Sequence, residues 1–328
     1  MLTATSAVKF VPAAAQELQI AYRHYALNSS AGVAKSPTLV VAHATGLCKE
    51  VYAPLLEQLK TVQGDAFALD SRNHGDSGTA NLELLESGHA TAESFLDNAR
   101  DILALIDALK LTAKRPLIGM GHSVGAAGML FAEIMRPNTF DAIVAIDPII
   151  STVDLDKVAQ GVAAPDGSAT GLDVAHTVIN RKATWKSRDE ARAHLAGRGM
   201  YTGWCPQAMD AFLNYGLRDL EDGAGVTLKC TPKQEAHSFL SGAHYPYLIF
   251  QRLHEIRIPI LFIGSEGSEF IPPKNIKEIA MQCQRQECVI LPRLRHMMPH
   301  EDPKAVASAI DQFLRRFNSN AGVATAKM

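Results

Sequence analysis

Six short segments of this chain are apolar at nearly every position, and longer mixed stretches separate them. A strand with one face in water alternates apolar and polar side chains, whereas a strand covered on both faces is apolar throughout. The segments therefore predict a parallel sheet with helices packed on both of its faces. They are Thr38–Ala42, Ala66–Leu69, Leu117–Met120, Ala142–Ile146, Ile260–Ile263 and Cys288–Leu291.

The stretches between these segments contain the matching helical patterns. Apolar residues recur every three or four positions in Glu93–Leu109, which is the spacing of one buried helix face. Pro303–Phe317 has the same pattern and begins with proline, a residue suited to the first turn of a helix. The chain is therefore predicted to be an α/β protein with a mostly parallel, doubly wound sheet.

The alternation of strand and helix stops in the middle of the chain. Residues 149–253 have the pattern of amphipathic helices, so we expect a helical cap inserted into a core made of residues 1–148 and 254–328. This segment contains both tryptophans, Trp185 and Trp204. They can form an apolar wall over a pocket or fill the small core of the insertion itself.

Composition argues against several classes of partner. The 32 Lys and Arg residues nearly balance the 34 Asp and Glu residues, and the net charge of −2 does not favour nucleic acid. Five cysteines without a C-x-x-C pair favour a reducing compartment, and we expect no metal and no cofactor. No apolar run approaches the roughly 18 residues of a membrane span, and Met1–Val11 lacks the apolar core of a secretory signal.

The last three residues of the chain have the form of an organelle address. Ala326-Lys327-Met328 shows the small, basic and apolar order of the Ser-Lys-Leu peroxisomal signal, which an import receptor reads. The sequence thus predicts a peroxisomal protein with that receptor as a partner. The alternative is a tail that ends this way by chance, in a protein of the cytoplasm.

A Gly-x-Ser-x-Gly motif lies between one predicted strand and a helical run. It reads Gly121-His122-Ser123-Val124-Gly125. In this strand–turn–helix setting a serine adopts a strained backbone conformation that exposes its hydroxyl, and the residues two positions away must be as small as glycine. Ser123 is therefore the predicted nucleophile. The alternative is a glycine-rich turn that only packs a helix on the sheet.

Two backbone N–H groups are candidates for binding a developing oxyanion. The N–H of Val124 directly follows the nucleophile, at the positive end of the next helix. The second donor is expected in the loop after an earlier strand, His43-Ala44-Thr45-Gly46, where we favour Thr45 over Ala44. The alternative is that this loop is an ordinary turn held by His43.

The general base is expected to be a histidine late in the chain, because a nucleophilic serine in this setting is followed by an acid and then by a histidine. Among the 12 histidines, His296 and His300 lie in the right region. His296 follows the last predicted strand and a short loop, so its imidazole can reach the serine across the sheet edge. His300 has the position of a helix-end residue, and His296 is therefore the predicted base.

The acid that orients this histidine is expected at the end of a strand. Asp147 lies there, directly after Ala142–Ile146 and before a proline. Glu269 and Glu266, which follow the strand Ile260–Ile263, are the alternatives. Asp147 can also be a turn cap that leads into the insertion.

A polar turn, Asp70–Ser77, follows another predicted strand and is expected to be structural. Asp70 can accept hydrogen bonds within the turn, and His74 can anchor the loop without acid–base chemistry. We therefore assign no catalytic role to this turn.

These motifs together resemble the α/β-hydrolase superfamily, and the resemblance spans nearly the whole chain. It is carried by the loop at His43, the elbow at Ser123, Asp147 before proline, and His296 before the last helix. Within the superfamily the chain looks most like the fungal peroxisomal serine hydrolases, a group with the yeast peroxisomal lipase and hydrolases of toxin biosynthesis. That resemblance implies an acid at Asp147 and a peroxisomal address. One departure is Ala44, where the superfamily commonly has glycine.

The function predicted from these residues is that of a serine hydrolase. Its substrate would be a small-molecule carboxylic ester or acyl thioester, cleaved through an acyl-enzyme on Ser123. Two alternatives stay open, because one fold supports several functions. The same triad can hydrolyse a carbon–carbon bond beside a carbonyl, and the same fold can bind a ligand without turning it over.

Overall fold

A large, mostly parallel sheet lies at the centre of the protein, as its computed structural model shows. The structure describes residues 3–4, 7–15, 17–27, 36–90, 94–154, 157–158, 160–161, 171–221 and 223–325. The strands within these ranges are β1 (Thr3–Ala4), β2 (Lys9–Pro12), β3 (Gln19–Ala26), β4 (Thr38–Ala42), β5 (Asp65–Leu69), β6 (Leu117–His122), β7 (Ala142–Ile146), β8 (Thr184–Trp185), β9 (Leu217–Asp219), β10 (Val226–Leu228), β11 (Ile260–Gly267) and β12 (Gln286–Arg295).

The strands of the large sheet follow the order β1-β3-β5-β4-β6-β7-β11-β12, with β2 beside β3. The strands from β5 to β12 in this order pair in parallel, whereas β1, β2 and β3 pair antiparallel. Every residue of β4 and of β7 is buried, as expected of strands covered on both faces. The six predicted strands are confirmed. The antiparallel strands were missed because they are short or partly exposed, so their apolar pattern is weak.

Helices cover both faces of this sheet, and further helices lie in residues 149–253. They are α1 (Ala53–Gln58), α2 (Gly75–Ala80), α3 (Leu82–Glu86), α4 (Ser94–Ala108), α5 (Val124–Met135), α6 (Gly171–Ile179), α7 (Arg188–Leu195), α8 (Pro206–Tyr215), α9 (Pro232–Leu240), α10 (Tyr245–Arg252), α11 (Pro273–Met281), α12 (Met298–Glu301) and α13 (Pro303–Thr325). Successive residues of a strand face opposite sides: Val40 joins the apolar cluster that contains Ile102 of α4, and Val41 joins the cluster that contains Ile310 of α13. The sheet is therefore doubly wound, as predicted.

The two helices predicted with bounds are present with shifted ends. The helix expected over Glu93–Leu109 is α4, and the helix expected over Pro303–Phe317 is α13, which continues to Thr325. The apolar stripe that predicted α13 stops at Phe317, so its polar continuation gave no signal. No helix of the described ranges combines the length and the apolar character that a membrane span needs.

Residues 149–253 contain α6 to α10 and a small antiparallel sheet with the order β8-β10-β9. The helices agree with the prediction. The sequence did not indicate the three strands, because they have two or three residues each and are too short to show a period. Trp185 and Phe212 from this segment share an apolar cluster with Tyr52, near the main sheet. The division into a core of residues 1–148 and 254–328 and a cap remains a prediction.

Candidate active site

The carboxyl ends of three strands bring the predicted triad together. Ser123 directly follows β6, Asp147 directly follows β7, and His296 directly follows β12. These strands lie close together in the sheet, with β11 between β7 and β12. Neighbouring parallel strands end at one edge, where such sheets bind their ligands. His296 therefore contacts Asp147, which is 149 positions away along the chain, and Ser123, which is 173 positions away.

The turn that carries Ser123 is strained and closely packed. Ser123 has φ 59° and ψ −124°, a conformation that non-glycine residues rarely adopt. Its N–H donates to the carbonyl of Ile146 at 2.9 Å, which ties the elbow to the neighbouring strand. A Cβ at Gly125 would lie 2.5 Å from the carbonyl oxygen of Ala42, and a Cβ at Gly121 would collide with the backbone of α5. Both glycines of the motif are therefore required by packing.

The imidazole of His296 makes a hydrogen bond with each of the other two side chains. Its Nδ1 lies 2.6 Å from Oδ2 of Asp147, and its Nε2 lies 3.0 Å from Oγ of Ser123. Because a carboxylate only accepts, Nδ1 carries the proton and Nε2 is free to accept from the serine hydroxyl. All three residues are buried. This is the geometry of a nucleophile, a base and an orienting acid.

Asp147 is held by contacts that the sequence did not predict. Its backbone has φ 41°, and its N–H donates to the carbonyl of Ile263 at 2.7 Å. The hydroxyl of Ser268 donates to the same Oδ2 that accepts from His296, at 2.5 Å. The N–H groups of Phe270 and Ile271 in turn donate to the Ser268 oxygen, at 3.3 and 3.2 Å. Ser268 lies between the alternative acids Glu266 and Glu269 in the sequence, and its hydroxyl was the signal from which this contact could have been predicted.

Neither alternative acid contacts the imidazole. Glu269 accepts the backbone N–H of His296 at 3.3 Å and forms an ion pair with Arg295. Glu266 accepts the backbone N–H of Arg293 at 3.3 Å on the exposed end of β11. Both carboxylates hold the backbone that precedes or includes the histidine, and they do not orient its ring.

His300, the alternative base, is buried in α12 among aromatic rings. Its ring centroid lies 4.9 Å from that of Tyr52 and 4.6 Å from that of Trp204. Burial lowers the pKa of His300 to about 3, against an opposing hydrogen bond with the backbone of Val51. The structure brings His296, and not His300, to Ser123.

The loop after β4 presents the second predicted oxyanion donor. The N–H of Ala44 donates to Oη of Tyr52 at 3.0 Å, and the N–H of Gly46 donates to Nε2 of His74 at 2.9 Å. Between them, the N–H of Thr45 has no hydrogen-bond partner in the part of the chain that the structure describes. Ala44 is therefore engaged elsewhere. Thr45 stays the predicted donor, and it lies beside a cavity described below.

The first predicted donor belongs to Val124, which begins α5. The first N–H groups of a helix have no acceptor one turn back, and they carry partial positive charge.

Two histidines hold the loop after β4. His43 donates from Nδ1 to the carbonyl of Ala44 at 2.7 Å and accepts the N–H of Ser71 at Nε2, at 2.9 Å. Burial lowers the pKa of His43 and of His74, so both hold this loop as neutral rings. The predicted anchoring role of His74 is confirmed.

A buried lysine neutralises the carboxylates beneath this loop. Within the described ranges, Glu50, Asp70 and Asp76 are the acidic group whose oxygens lie close enough to hold a metal ion. Nζ of Lys49 lies among them, at 3.0, 2.6 and 2.6 Å. Burial lowers the pKa of Lys49, but attraction by Asp70 and the other two carboxylates outweighs it and raises the pKa. Asp70 also accepts the N–H of Asp76 at 2.8 Å, which confirms its structural role.

A cavity of about 570 Å³ opens beside Thr45 and His296. Part of its apolar wall comes from residues 149–253, where the side chains are Val174, Val178, Leu195, Met200 and Phe239. Neither tryptophan of this segment belongs to the cavity wall, since Trp204 packs against the ring of Phe212. Trp185 belongs to the apolar cluster that contains Tyr52, Trp204 packs against that cluster, and smaller apolar side chains face the cavity.

Known proteins resemble this chain over most of its length. Residues 39–309 match the model of the alpha/beta hydrolase family. The type I acyl-CoA thioesterase mpaH of Penicillium roqueforti is 29% identical over 191 residues, which are 56% of this chain and 40% of that protein. The match thus spans about two fifths of the length of that relative.

A second relative matches over more of its length. The peroxisomal membrane protein LPX1 of Saccharomyces cerevisiae is 22% identical over 298 residues, which are 85% of this chain and 75% of that protein. The solved structure of the yeast peroxisomal alpha-beta-hydrolase Lpx1 superposes with a TM-score of 0.75 at 19% identity, covering 92% of this chain and 83% of that one. That likeness concerns the fold, and the family match covers most of the chain. The chain belongs to the alpha/beta hydrolase family.

Proposed function

We propose that the protein is a serine hydrolase that cleaves a carboxylic ester or an acyl thioester through an acyl-enzyme on Ser123. The observation that carries this proposal is the buried chain of hydrogen bonds from Ser123 through His296 to Asp147. His296 of this chain lines an apolar cavity, and we infer that an acyl group bound there reaches the neighbouring serine. A strained serine with this support has no use in a protein that only binds a ligand.

In the first half of the reaction, Oγ of Ser123 attacks the carbonyl carbon and its proton moves to Nε2 of His296. Asp147 stabilises the imidazolium that forms, because its carboxylate already accepts the Nδ1 proton. The carbonyl oxygen becomes an oxyanion, and the N–H groups of Val124 and Thr45 bind it. Collapse of this intermediate breaks the bond to the leaving group, and His296 returns its proton to the departing alcohol or thiol.

In the second half, water attacks the acyl-enzyme with His296 again as the base. The proton of the water moves to Nε2, and the N–H groups of Val124 and Thr45 again bind the oxyanion that forms. Collapse then releases the carboxylic acid, and the proton on His296 returns to Oγ of Ser123. The reaction consumes one water and needs no cofactor.

The cavity supports an acyl chain as the substrate group. Its volume of about 570 Å³ is within the usual range of small-molecule sites, and its wall is largely apolar. We propose that residues 149–253 act as a cap that shapes this wall. A relative named as an acyl-CoA thioesterase supports a thioester as one natural substrate class.

We also propose that the protein acts in the peroxisome. A relative named as a peroxisomal protein supports this location. The predicted signal, Ala326-Lys327-Met328, lies outside the described residues. Deleting these three residues is expected to release a fluorescent fusion of the full chain from peroxisomes into the cytoplasm. An unchanged distribution would remove the signal from the proposal.

The test of the catalytic proposal is labelling by a fluorophosphonate, which reacts with an activated serine. We expect the wild type to label and Ser123→Ala to lose both labelling and about 10⁴-fold or more of its turnover of p-nitrophenyl esters. Ser265→Ala is the matched control, because Oγ of Ser265 is buried and without a hydrogen-bond partner among the described residues. A wild type that neither labels nor turns over any ester or thioester would favour the binding protein instead.

A second comparison separates the three carboxylates. Asp147→Asn is expected to lower kcat by about 10⁴-fold, because the amide favours the wrong imidazole tautomer. Glu269→Gln, which affects a contact with the backbone of His296, is expected to lower it by less than about 10-fold. The reverse order would reassign the acid. A wild type that labels but leaves esters and thioesters intact would favour carbon–carbon cleavage.

A further inference from the structure

One buried tyrosine connects the predicted oxyanion loop to the nucleophile turn. Oη of Tyr52 accepts the N–H of Ala44 at 3.0 Å and lies 2.7 Å from Nδ1 of His122. Nε2 of His122 lies 2.9 Å from the backbone carbonyl of His296. A single chain of three hydrogen bonds therefore joins the loop beside Thr45 to the residue that carries the base.

The direction of each proton in this chain follows from the acceptors. A carbonyl oxygen only accepts, so Nε2 of His122 carries a proton and donates it to His296. Burial lowers the pKa of His122 well below its ordinary value, so the ring is neutral and its Nδ1 is an acceptor. Tyr52 must then donate its hydroxyl proton to Nδ1. Its oxygen is left to accept the N–H of Ala44.

This chain leaves little freedom to the groups that it joins. Tyr52 and Ala44 are each 1% exposed, and His122 is fully buried, so water cannot replace a lost partner. The bond to Ala44 removes one of the two N–H groups that could face an oxyanion and holds the peptide next to Thr45. The bond to His296 holds the backbone of the base, whose side chain has its own bonds to Asp147 and Ser123.

We propose that Tyr52 and His122 are positioning residues, which hold the N–H of Thr45 and the imidazole of His296 in the geometry that the transition state requires. The inference rests on the proposed function. Neither side chain touches the substrate or the reacting atoms. Their effect on the reaction passes through the loop and the backbone of the base.

The first test is Tyr52→Phe, with Tyr25→Phe as the matched control. Tyr25 packs in the same apolar cluster as Tyr52, and its buried hydroxyl has no hydrogen-bond partner in the described ranges. Active sites are titrated with the fluorophosphonate so that kcat refers to competent enzyme alone. We expect Tyr52→Phe to lower kcat by about 10- to 100-fold with KM within about twofold, because small displacements of catalytic groups have effects of this size. Tyr25→Phe is expected to keep kcat within about twofold.

A purely structural role would lower the titrated fraction and leave each remaining site normal. The second readout is therefore inhibition by a trifluoromethyl ketone that carries the preferred acyl chain. Oγ of Ser123 adds to its carbonyl carbon, and the carbonyl oxygen becomes a stable oxyanion. If Tyr52 positions the oxyanion donor, the inhibition constant rises by about the same factor by which kcat/KM falls. An inhibition constant equal to that of Tyr25→Phe would overturn the assignment.

A second pair of variants tests His122 and covers the case in which Tyr52→Phe does not fold. The amide of His122→Gln can still donate to the carbonyl of His296, whereas His122→Leu cannot. We expect the glutamine variant to keep at least about 10-fold more kcat per titrated site than the leucine variant. Equal activity of the two would overturn the role of His122. Failure of the wild type to label at Ser123 would instead refute the proposed function.

Discussion

Acid is expected to destabilise this protein through His300, which is fully buried in α12. Its ring packs against those of Tyr52 and Trp204, and burial lowers its pKa from 6.5 to about 3. In the unfolded chain the same side chain titrates near its ordinary value. As the pH falls, the unfolded state therefore binds the proton before the folded state does. The stability that a neutral His300 contributes is complete above about pH 6.5 and is lost as the pH falls towards about 3.

The size of this effect follows from the two pKa values. At pH values between the two pKa values, unfolding takes up one proton. The free energy of unfolding therefore falls by about 1.4 kcal/mol for each unit by which the pH is lowered. At pH 7 about one quarter of the unfolded imidazole is already protonated, and at pH 5 nearly all of it is. Integration from pH 7 to pH 5 gives a loss of about 2 kcal/mol from His300 alone.

The assay compares urea unfolding of the wild type and His300→Leu at pH 7, 6 and 5. Leucine is similar in size but cannot take up a proton. The other buried histidines titrate in both proteins, so their contributions cancel in the difference. We expect the difference in free energy of unfolding between the two proteins to change by about 2 kcal/mol from pH 7 to pH 5. A change below about 0.5 kcal/mol would refute the neutral, buried state of this ring.

Two further substitutions test the packing around the site. Lys49→Met leaves the carboxylate of Asp70 buried without its counterion, and we expect urea unfolding to show a loss of about 3 to 5 kcal/mol. A loss below about 1 kcal/mol would contradict the role of this lysine. Gly125→Ala places a Cβ 2.5 Å from the carbonyl oxygen of Ala42, so we expect the elbow to shift and kcat to fall by about 100-fold or more. Fluorophosphonate labelling at the wild-type rate would show that the turn tolerates the methyl group.

Much of the fold was readable from the sequence because each of its signals is local. The apolar runs identified the six parallel strands, since a strand covered on both faces has no polar positions. The glycines around Ser123 identified the elbow, since that turn has room for nothing larger. The short strands β1, β2, β8, β9 and β10 could not be predicted, because two to four residues show no period. β3 has eight residues, but it is partly exposed and its apolar pattern is weak.

The candidate site could be predicted only in part, because the sequence does not determine side-chain directions at neighbouring strand ends. Asp147 follows β7, Glu266 lies at the end of β11 and Glu269 follows β11. Sequence spacing cannot tell which of these carboxylates faces the ring of His296. The structure brings Asp147 to His296 and turns both glutamates towards backbone N–H groups. Sequence order alone cannot make that distinction, because it depends on side-chain direction at neighbouring strand ends.

The sequence by itself determined the class of fold, the nucleophile turn and the predicted order of nucleophile, acid and base. The fold class rests on apolar periodicity, the nucleophile turn on residue size, and the predicted order on which residues follow strand ends. Each of these patterns is recognised within a few positions of the chain. Only the tertiary structure decided which N–H of the loop after β4 is engaged and which side chain holds the backbone of His296. Tyr52 and His122 are 70 positions apart, and His122 and His296 are 174 apart. Their hydrogen bonds exist because the sheet brings distant strand ends together, which no local pattern records.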